Sequence, residues 1–297
     1  MHPCLQIHEI FSVIAELASY TPYSSVSKGS PHPVCALIRT CRTFYEPACD
    51  ILWRNIPGLV PLFRLFPDEL LQIDADDLFD YEQYMFTRIP TAHDWERFLH
   101  HSSRVRTFSP PSFSKSSISP DALLLLQQQS PTSPMFPKLQ RLYWRDTCEI
   151  NAWLPLIASP RLTKIECTTL STKATALSFL DALRKYCISP SIHLVRIGGM
   201  HFPEDPEVTK ALSDLICQWH QLEELVVDGN SLTLSDNAIV HLASLPTLKK
   251  ADFALSSQSQ ISAVLGTHQF TESFLLNVTE LNLGNHEMSH YPQESNR

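Results

Sequence analysis

From residue 139 onward, apolar positions recur in one six-residue pattern: apolar, two variable, apolar, one variable, apolar. Leu139-Leu142-Trp144 opens the series. Leu162-Ile165-Cys167, Ile192-Val195-Ile197, Leu222-Leu225-Val227, Leu248-Ala251-Phe253 and Val278-Leu281-Leu283 continue it. The first positions lie 23, 30, 30, 26 and 30 residues apart. Val105-Arg106-Thr107-Phe108 is a weaker, earlier copy. Each copy has the length of a short strand. The stretches between copies carry apolar residues at helical spacing, which predicts helices over 91–101, 120–129, 149–158, 174–187, 206–219, 235–244 and 257–268. A short strand followed by a helix, repeated, predicts a solenoid. Gly198, Gly199, Gly229 and Gly284 follow strands, where the chain must turn sharply.

The first fifty-odd residues follow a different rule. Residues 5–18 place Ile7, Ile10, Phe11, Ile14 and Leu17 on one helical face. Residues 19–33 are a Ser/Pro/Tyr-rich break holding Pro22, Pro31 and Pro33. Helical spacing returns over 34–45 through Val34, Leu37, Ile38, Cys41 and Phe44. Glu46-Pro47 should end that helix, because the residue before proline is pushed out of the α region. Pro47 should then open a short third helix toward Trp53. So small a bundle cannot bury its whole apolar face, and part of that face should meet the repeats or a partner.

Residues 68–82 hold seven carboxylates, Asp68, Glu69, Asp74, Asp76, Asp77, Asp80 and Glu82, and no Lys or Arg. They lack the fixed order of a calcium loop and read as a solvated connector. The expected organisation is therefore a helical module at 1–56, an acidic, Pro-containing connector at 57–90 and a solenoid at 91–297.

Composition narrows the functions. A net charge of −8 argues against a general phosphate-backbone binder, so no nucleic-acid partner is expected. Seven glycines leave little for a phosphate-cradling loop, and no such motif occurs. No run approaches the length of a membrane span, so no membrane partner is expected. The eight cysteines are scattered without a CxxC pair and mostly lie in apolar runs. They are expected to be reduced, which places the protein in the cytoplasm or nucleus. No nucleophile elbow or zinc-protease signature appears, and no catalytic residue, metal or cofactor is expected. His100-His101 reads as a polar helix end. Cys217 and His220 could meet on one helix, but Cys217 shares an apolar stripe with Leu212, Leu215 and Ile216 and reads as a core thiol.

The copies LQRLYW, LTKIEC, LEELVV and VTELNL resemble leucine-rich repeats of the long, helix-bearing type. That resemblance implies an α/β solenoid with parallel strands inside and helices outside. The segments Leu5-Gln6-Ile7-His8-Glu9-Ile10, Ile38-Arg39-Thr40-Cys41-Arg42-Thr43-Phe44 and Leu52-Trp53 resemble a divergent F-box. The proline usual after Leu5 is absent, and residues 19–33 lengthen the first connection. The run TCRTFYEPACDILWRNIPGLVPL resembles the start of fungal F-box proteins with leucine-rich repeats. Together these resemblances imply a non-catalytic substrate-recognition subunit of an SCF-type ubiquitin ligase. Leu5, Ile7, Ile10, Phe11, Ile14, Leu37, Ile38, Cys41 and Phe44 would bind the small adaptor subunit and, through it, the cullin. The alternative is a repeat scaffold that binds a protein without any ligase.

Alternation along each strand assigns a binding face. With the anchors inward, the intervening side chains should line the concave sheet and hold a protein substrate. Among them are Arg141, Tyr143, Arg145, Lys164, Arg196, Glu224, Asp228 and Asp252. The first three strands are mostly basic here and the last three mostly acidic, which predicts a surface with two poles.

Overall fold

The computed structural model describes residues 8–19, 33–76, 81–111, 115–145, 150–168, 170, 172–187, 191–198, 203–229, 232–256 and 278–284. The chain is α/β and divides into two compact units, Met1–Arg141 and Leu142–Arg297.

The first unit opens with three helices, α1 (His8–Ser19), α2 (Pro33–Ile38) and α3 (Arg42–Leu52). Ala15, Val34, Phe44, Ala48 and Ile51 form their common core, with Ala18, Leu37, Ile38, Cys41 and Leu52 leaning on it. The expected helix over 34–45 is broken at 39–41, where Cys41 is extended (φ −159°, ψ 164°) and starts α3. Pro47 consequently lies inside α3 instead of opening a helix. Its ring is buried, so packing offsets the missing main-chain donor.

Beyond the helices come β1 (Asn55–Ile56), α4 (Val60–Phe63), one 3₁₀ turn (Asp68–Leu70), β2 (Leu71–Asp76) and β3 (Tyr81–Phe86). Then follow α5 (Trp95–Ser102), β4 (Thr107–Phe108), β5 (Ser116–Ile118) and α6 (Pro120–Gln129). β1 pairs with β4 in parallel. β2, β3 and β5 form a separate sheet in that order, antiparallel between β2 and β3 and parallel between β3 and β5. The described part of residues 57–90 thus carries strands and buried side chains where a solvated connector was expected. Leu59, Leu62, Phe63, Phe66 and Leu70 are buried. Phe66 packs against Phe63, Phe86, Trp95 and Phe98 with ring centres 5.1–5.6 Å apart. That desolvated aromatic area outweighs the proline breaks, and Asp68, Glu69 and Asp74 stay outside it.

The second unit repeats one motif. It runs β6 (Arg141–Arg145), α7 (Ile150–Ile157), β7 (Lys164–Thr168), α8 (Lys173–Tyr186), β8 (Leu194–Gly198), α9 (Pro206–Ile216), β9 (Glu224–Asp228), β10 (Thr233–Leu234), α10 (Asp236–Ser244), β11 (Lys250–Leu255) and β12 (Glu280–Gly284). The strands are parallel and stack in chain order, with β10 extending β9 along the same side of β11. Register places anchor on anchor: Ile165, Val195, Leu225, Ala251 and Leu281 stand side by side. Cys167, Ile197 and Val227 form the next row. All but Leu281 are buried.

Local chemistry sets where the helices begin. Thr172 and Thr175 form a reciprocal capping box on α8. Asp205 caps α9 by accepting from the amides of Glu207 and Val208, and Pro206 occupies the first turn. Gly229 turns the chain after β9 at φ +133°. Gly198, expected to turn, instead ends β8 against Asp228, where a Cβ would sit 3.3 Å from that residue's Cβ and carbonyl. The expected helix over 257–268 lies outside the described residues.

Candidate functional site

Two surfaces collect the residues singled out by the sequence. The first is α1. Its inner side buries Ala15 and packs Ala18 into the bundle. Its outer side presents Ile10, Val13, Ile14 and Leu17 at 40, 56, 39 and 67% exposure. Spacings of three, four and seven residues make them one stripe along the helix. Surface helices ordinarily turn such a stripe to the core. Here small alanines face inward and large apolar residues face water.

Of the other residues expected there, Leu37, Ile38 and Cys41 are half-buried against the bundle core. Phe44 is a core side chain, 8% exposed, whose helical position sends it inward with Ala48 and Ile51. Ile38 and Cys41 also line a groove of about 480 Å³ with Arg39, Arg42, Tyr45 and Glu46. Leu5 and Ile7 lie outside the described residues, as does the side chain of Phe11. Val13 and Leu17 were not among the expected contacts. Their spacing from Ile10 and Ile14 was the available signal.

A second feature of this unit is the joint between α3 and α5. The Arg104 side chain, 9% exposed, donates to the carboxylates of Glu46 and Asp50 on α3. Its Nη2 also lies 2.8 Å from His100 Nε2. The Arg104 guanidinium holds the Glu46 carboxyl below its ordinary range. His101, expected with His100 at a polar helix end, is buried at 8% exposure with its ring 4.7 Å from that of Trp53. Burial, then the neighbouring His100 and Arg104, lower its pKa to about 4.

The second surface is the exposed side of the parallel strands in the second unit. Lys164 lies over the Tyr143 ring, 5.5 Å from its centre, and pairs with Glu166 at 2.6 Å. Arg196 sits between Glu166 at 3.9 Å and Glu224 at 2.6 Å. Glu224 accepts from both Nε and Nη2 of Arg196, which raises the guanidinium pKa. Lys250 pairs with Glu280 on the next strand. Charges therefore alternate and answer one another across strands. Between Lys164 and Glu280 the basic side chains Lys164, Arg196 and Lys250 each stand beside a carboxylate, Arg196 and Lys250 through the in-register stacking of neighbouring strands. Arg141 and Asp228 are exposed and Asp252 is half-buried. The side chain of Arg145 lies outside the described residues.

Other candidates carry less chemistry. A cleft of about 680 Å³ in the second unit has Glu204 accepting from Thr233 at 3.1 Å and Ser256 at 2.7 Å, a network that satisfies itself. Burial, then Asp214, pushes the Cys217 thiol up, the reverse of nucleophile activation. His220 is exposed and faces His241, with ring centres 5.2 Å apart. Cys35, Cys41, Cys49, Cys167, Cys187 and Cys217 are free thiols. Cys4 and Cys148 lie outside the described residues. Among the described residues no helix is long and apolar enough to cross a membrane.

Among known proteins, no family model matches this chain, and no curated protein matches it.

Proposed function

We propose that this chain is a non-catalytic substrate receptor of an SCF-type ubiquitin ligase, an F-box module followed by leucine-rich repeats. The adaptor docks on the stripe Ile10, Val13, Ile14 and Leu17 of α1. A protein substrate lies along the strand face from Tyr143 to Glu280. Tethering then performs the chemistry's entropic work, since holding a substrate near the conjugating enzyme raises its effective concentration.

The observation that carries this reading is the inverted packing of α1, with alanines inward and four large apolar residues outward. Covering such a stripe gains roughly 25 cal/mol per Å² of apolar surface. The Arg104 joint supports the same reading. It couples the helical bundle to the body of the first unit, as a presenting device requires.

The test is binding of purified adaptor to the full chain. Replacing Ile10 and Ile14 together by Ala should weaken it by about 2 kcal/mol or more, roughly thirty-fold, as for central interface anchors. Unchanged affinity in a folded double variant removes the adaptor from α1. No adaptor binding by the unaltered protein leaves the repeat scaffold as the reading.

A further inference from the structure

Among the described residues, the three-stranded sheet of the first unit has an open side at β2, where β3 is its one strand neighbour. Pairing geometry fixes which groups of β2 are free of β3. The Thr87 amide bonds to the Leu70 carbonyl at 2.9 Å. Antiparallel alternation then makes residues 70, 72, 74 and 76 the ones that exchange bonds with β3. Leu71, Ile73 and Ala75 turn their N–H and C=O groups outward. The far side of β3 obeys the same alternation: Glu82 donates to the Lys115 carbonyl at 2.8 Å, and the Tyr84 carbonyl accepts from Ser119 at 2.9 Å. An edge of this kind is a template for another strand.

Two further features describe what would lie there. Ile73 stands opposite Tyr84 and on the same face. Tyr84 is 2% exposed, while Ile73 is 51% exposed. A large apolar side chain thus overhangs the aromatic core on the open side. The segment is acidic: residues 65–87 contain no Lys or Arg, and Asp68, Glu69 and Asp74 are exposed, while Arg64 lies over the Tyr84 ring and Arg88, paired with Asp94, also acts on Glu69. Glu82 is already paired with Arg64.

We propose that β2 accepts a fourth strand, an extended segment of a partner protein in which basic residues alternate with β-branched or aromatic ones. Main-chain bonds to Leu71, Ile73 and Ala75 supply affinity, as in other strand-addition complexes. The apolar residues of the segment cover Ile73. Its basic residues stand on the opposite face, within reach of Asp74. Charge argues against a second copy of this chain as occupant, because pairing two β2 strands sets one acidic segment against another. Carboxylates that merely guard an empty edge are the competing explanation. This inference uses no residue of α1 or of the second unit and stands apart from the proposed function.

The probe is a synthetic peptide of alternating Lys and Val, about ten residues long. It is added to the full chain, with binding read by fluorescence anisotropy and protection by amide hydrogen exchange. Exchange at Ile73 and Ala75 should slow. Affinity should fall roughly ten-fold or more when the bonding amides of the peptide are N-methylated. Ile73→Pro, which removes an outward N–H and no bond to β3, should lower it comparably. Asp74→Lys should do so through charge. The methylated peptide is tested on the unaltered protein, so the result does not depend on the proline variant folding. Equal binding of methylated and plain peptides would mean attraction by charge alone and would overturn the proposal. Absence of any protection would do the same and leave a guarded edge. A self-association that Ile73→Pro abolishes would assign the edge to a second copy instead.

Discussion

Ile10, Val13, Ile14 and Leu17 of α1 stand in water, whereas on the strand face of the second unit Lys164, Glu166, Arg196 and Glu224 answer one another. The contrast separates two ways of meeting a partner. The apolar stripe gains free energy from any complementary cover, because water leaves it without a polar group being stranded. The charged ladder gains little from being covered. A partner there must replace ion pairs that already exist, and desolvating them costs as much as new pairs return. Affinity is thus expected from the first unit and selectivity from the second.

The largest effect expected is on stability, and it tests whether the stripe is truly outside the fold. Leu225 is fully buried between Val195 and Ala251 on neighbouring strands. Leu225→Ala should cost about 2–5 kcal/mol in denaturant unfolding, through lost transfer energy and the cavity left behind. Leu17→Ser, at a residue 67% exposed, should stay within about 0.5 kcal/mol. A Leu17→Ser variant that unfolds as readily as Leu225→Ala would mean that the stripe is covered within the chain, and the comparison would collapse.

A second test sets the Arg104 joint of the first unit against the ladder of the second. His101 is buried there with a pKa of about 4, against an ordinary 6.5. Between those values the unfolded chain holds a proton that the folded chain does not, so stability rises with pH across that window. The loss is complete below about pH 4, where both states are protonated. It amounts to on the order of 3 kcal/mol. Replacing His101 by Phe should flatten the slope between pH 6.5 and 4 in urea titrations at a series of pH values. Glu46 and Asp94, both held below their ordinary range, add a slope of the same sign only at lower pH, below about 4.5, so a slope that survives the replacement above that value would mean that His101 is not its source.

The strand-and-helix alternation of the second unit was legible because each anchor residue is both apolar and periodic. Ile165, Val195 and Leu225 needed no tertiary information to be placed on buried strands. The stripe on α1 was half legible. Ile10 and Ile14 stood out, but helical spacing alone does not say which face the bundle uses. That was decided by Ala15 and Ala18, whose small size lets α3 approach. The sheet at 71–86 was missed although its alternation, Leu71-Gln72-Ile73-Asp74-Ala75-Asp76, is a strand pattern. Proline and carboxylate content suggested a connector, and the aromatic core that overrides it comes from residues as far apart as Phe63 and Phe98. The ladder was legible as a set of residues but not as a charge distribution. Alternation picks the face, whereas register decides which charges become neighbours.

The smallest expected effect lies in that ladder and asks whether its ion pairs hold the fold. Arg196 is 45% exposed and Glu224 21%, so solvent screens their attraction. A double-mutant cycle with Arg196→Gln and Glu224→Gln should give a coupling of about 0.5 kcal/mol, and smaller still in high salt. Arg196 also reaches Glu166, so the cycle isolates only the shorter of its two contacts. A coupling above roughly 2 kcal/mol would be that of a desolvated pair. In that case the ladder would be part of what holds the strands in register, and a partner could not exchange its charges without loosening the sheet.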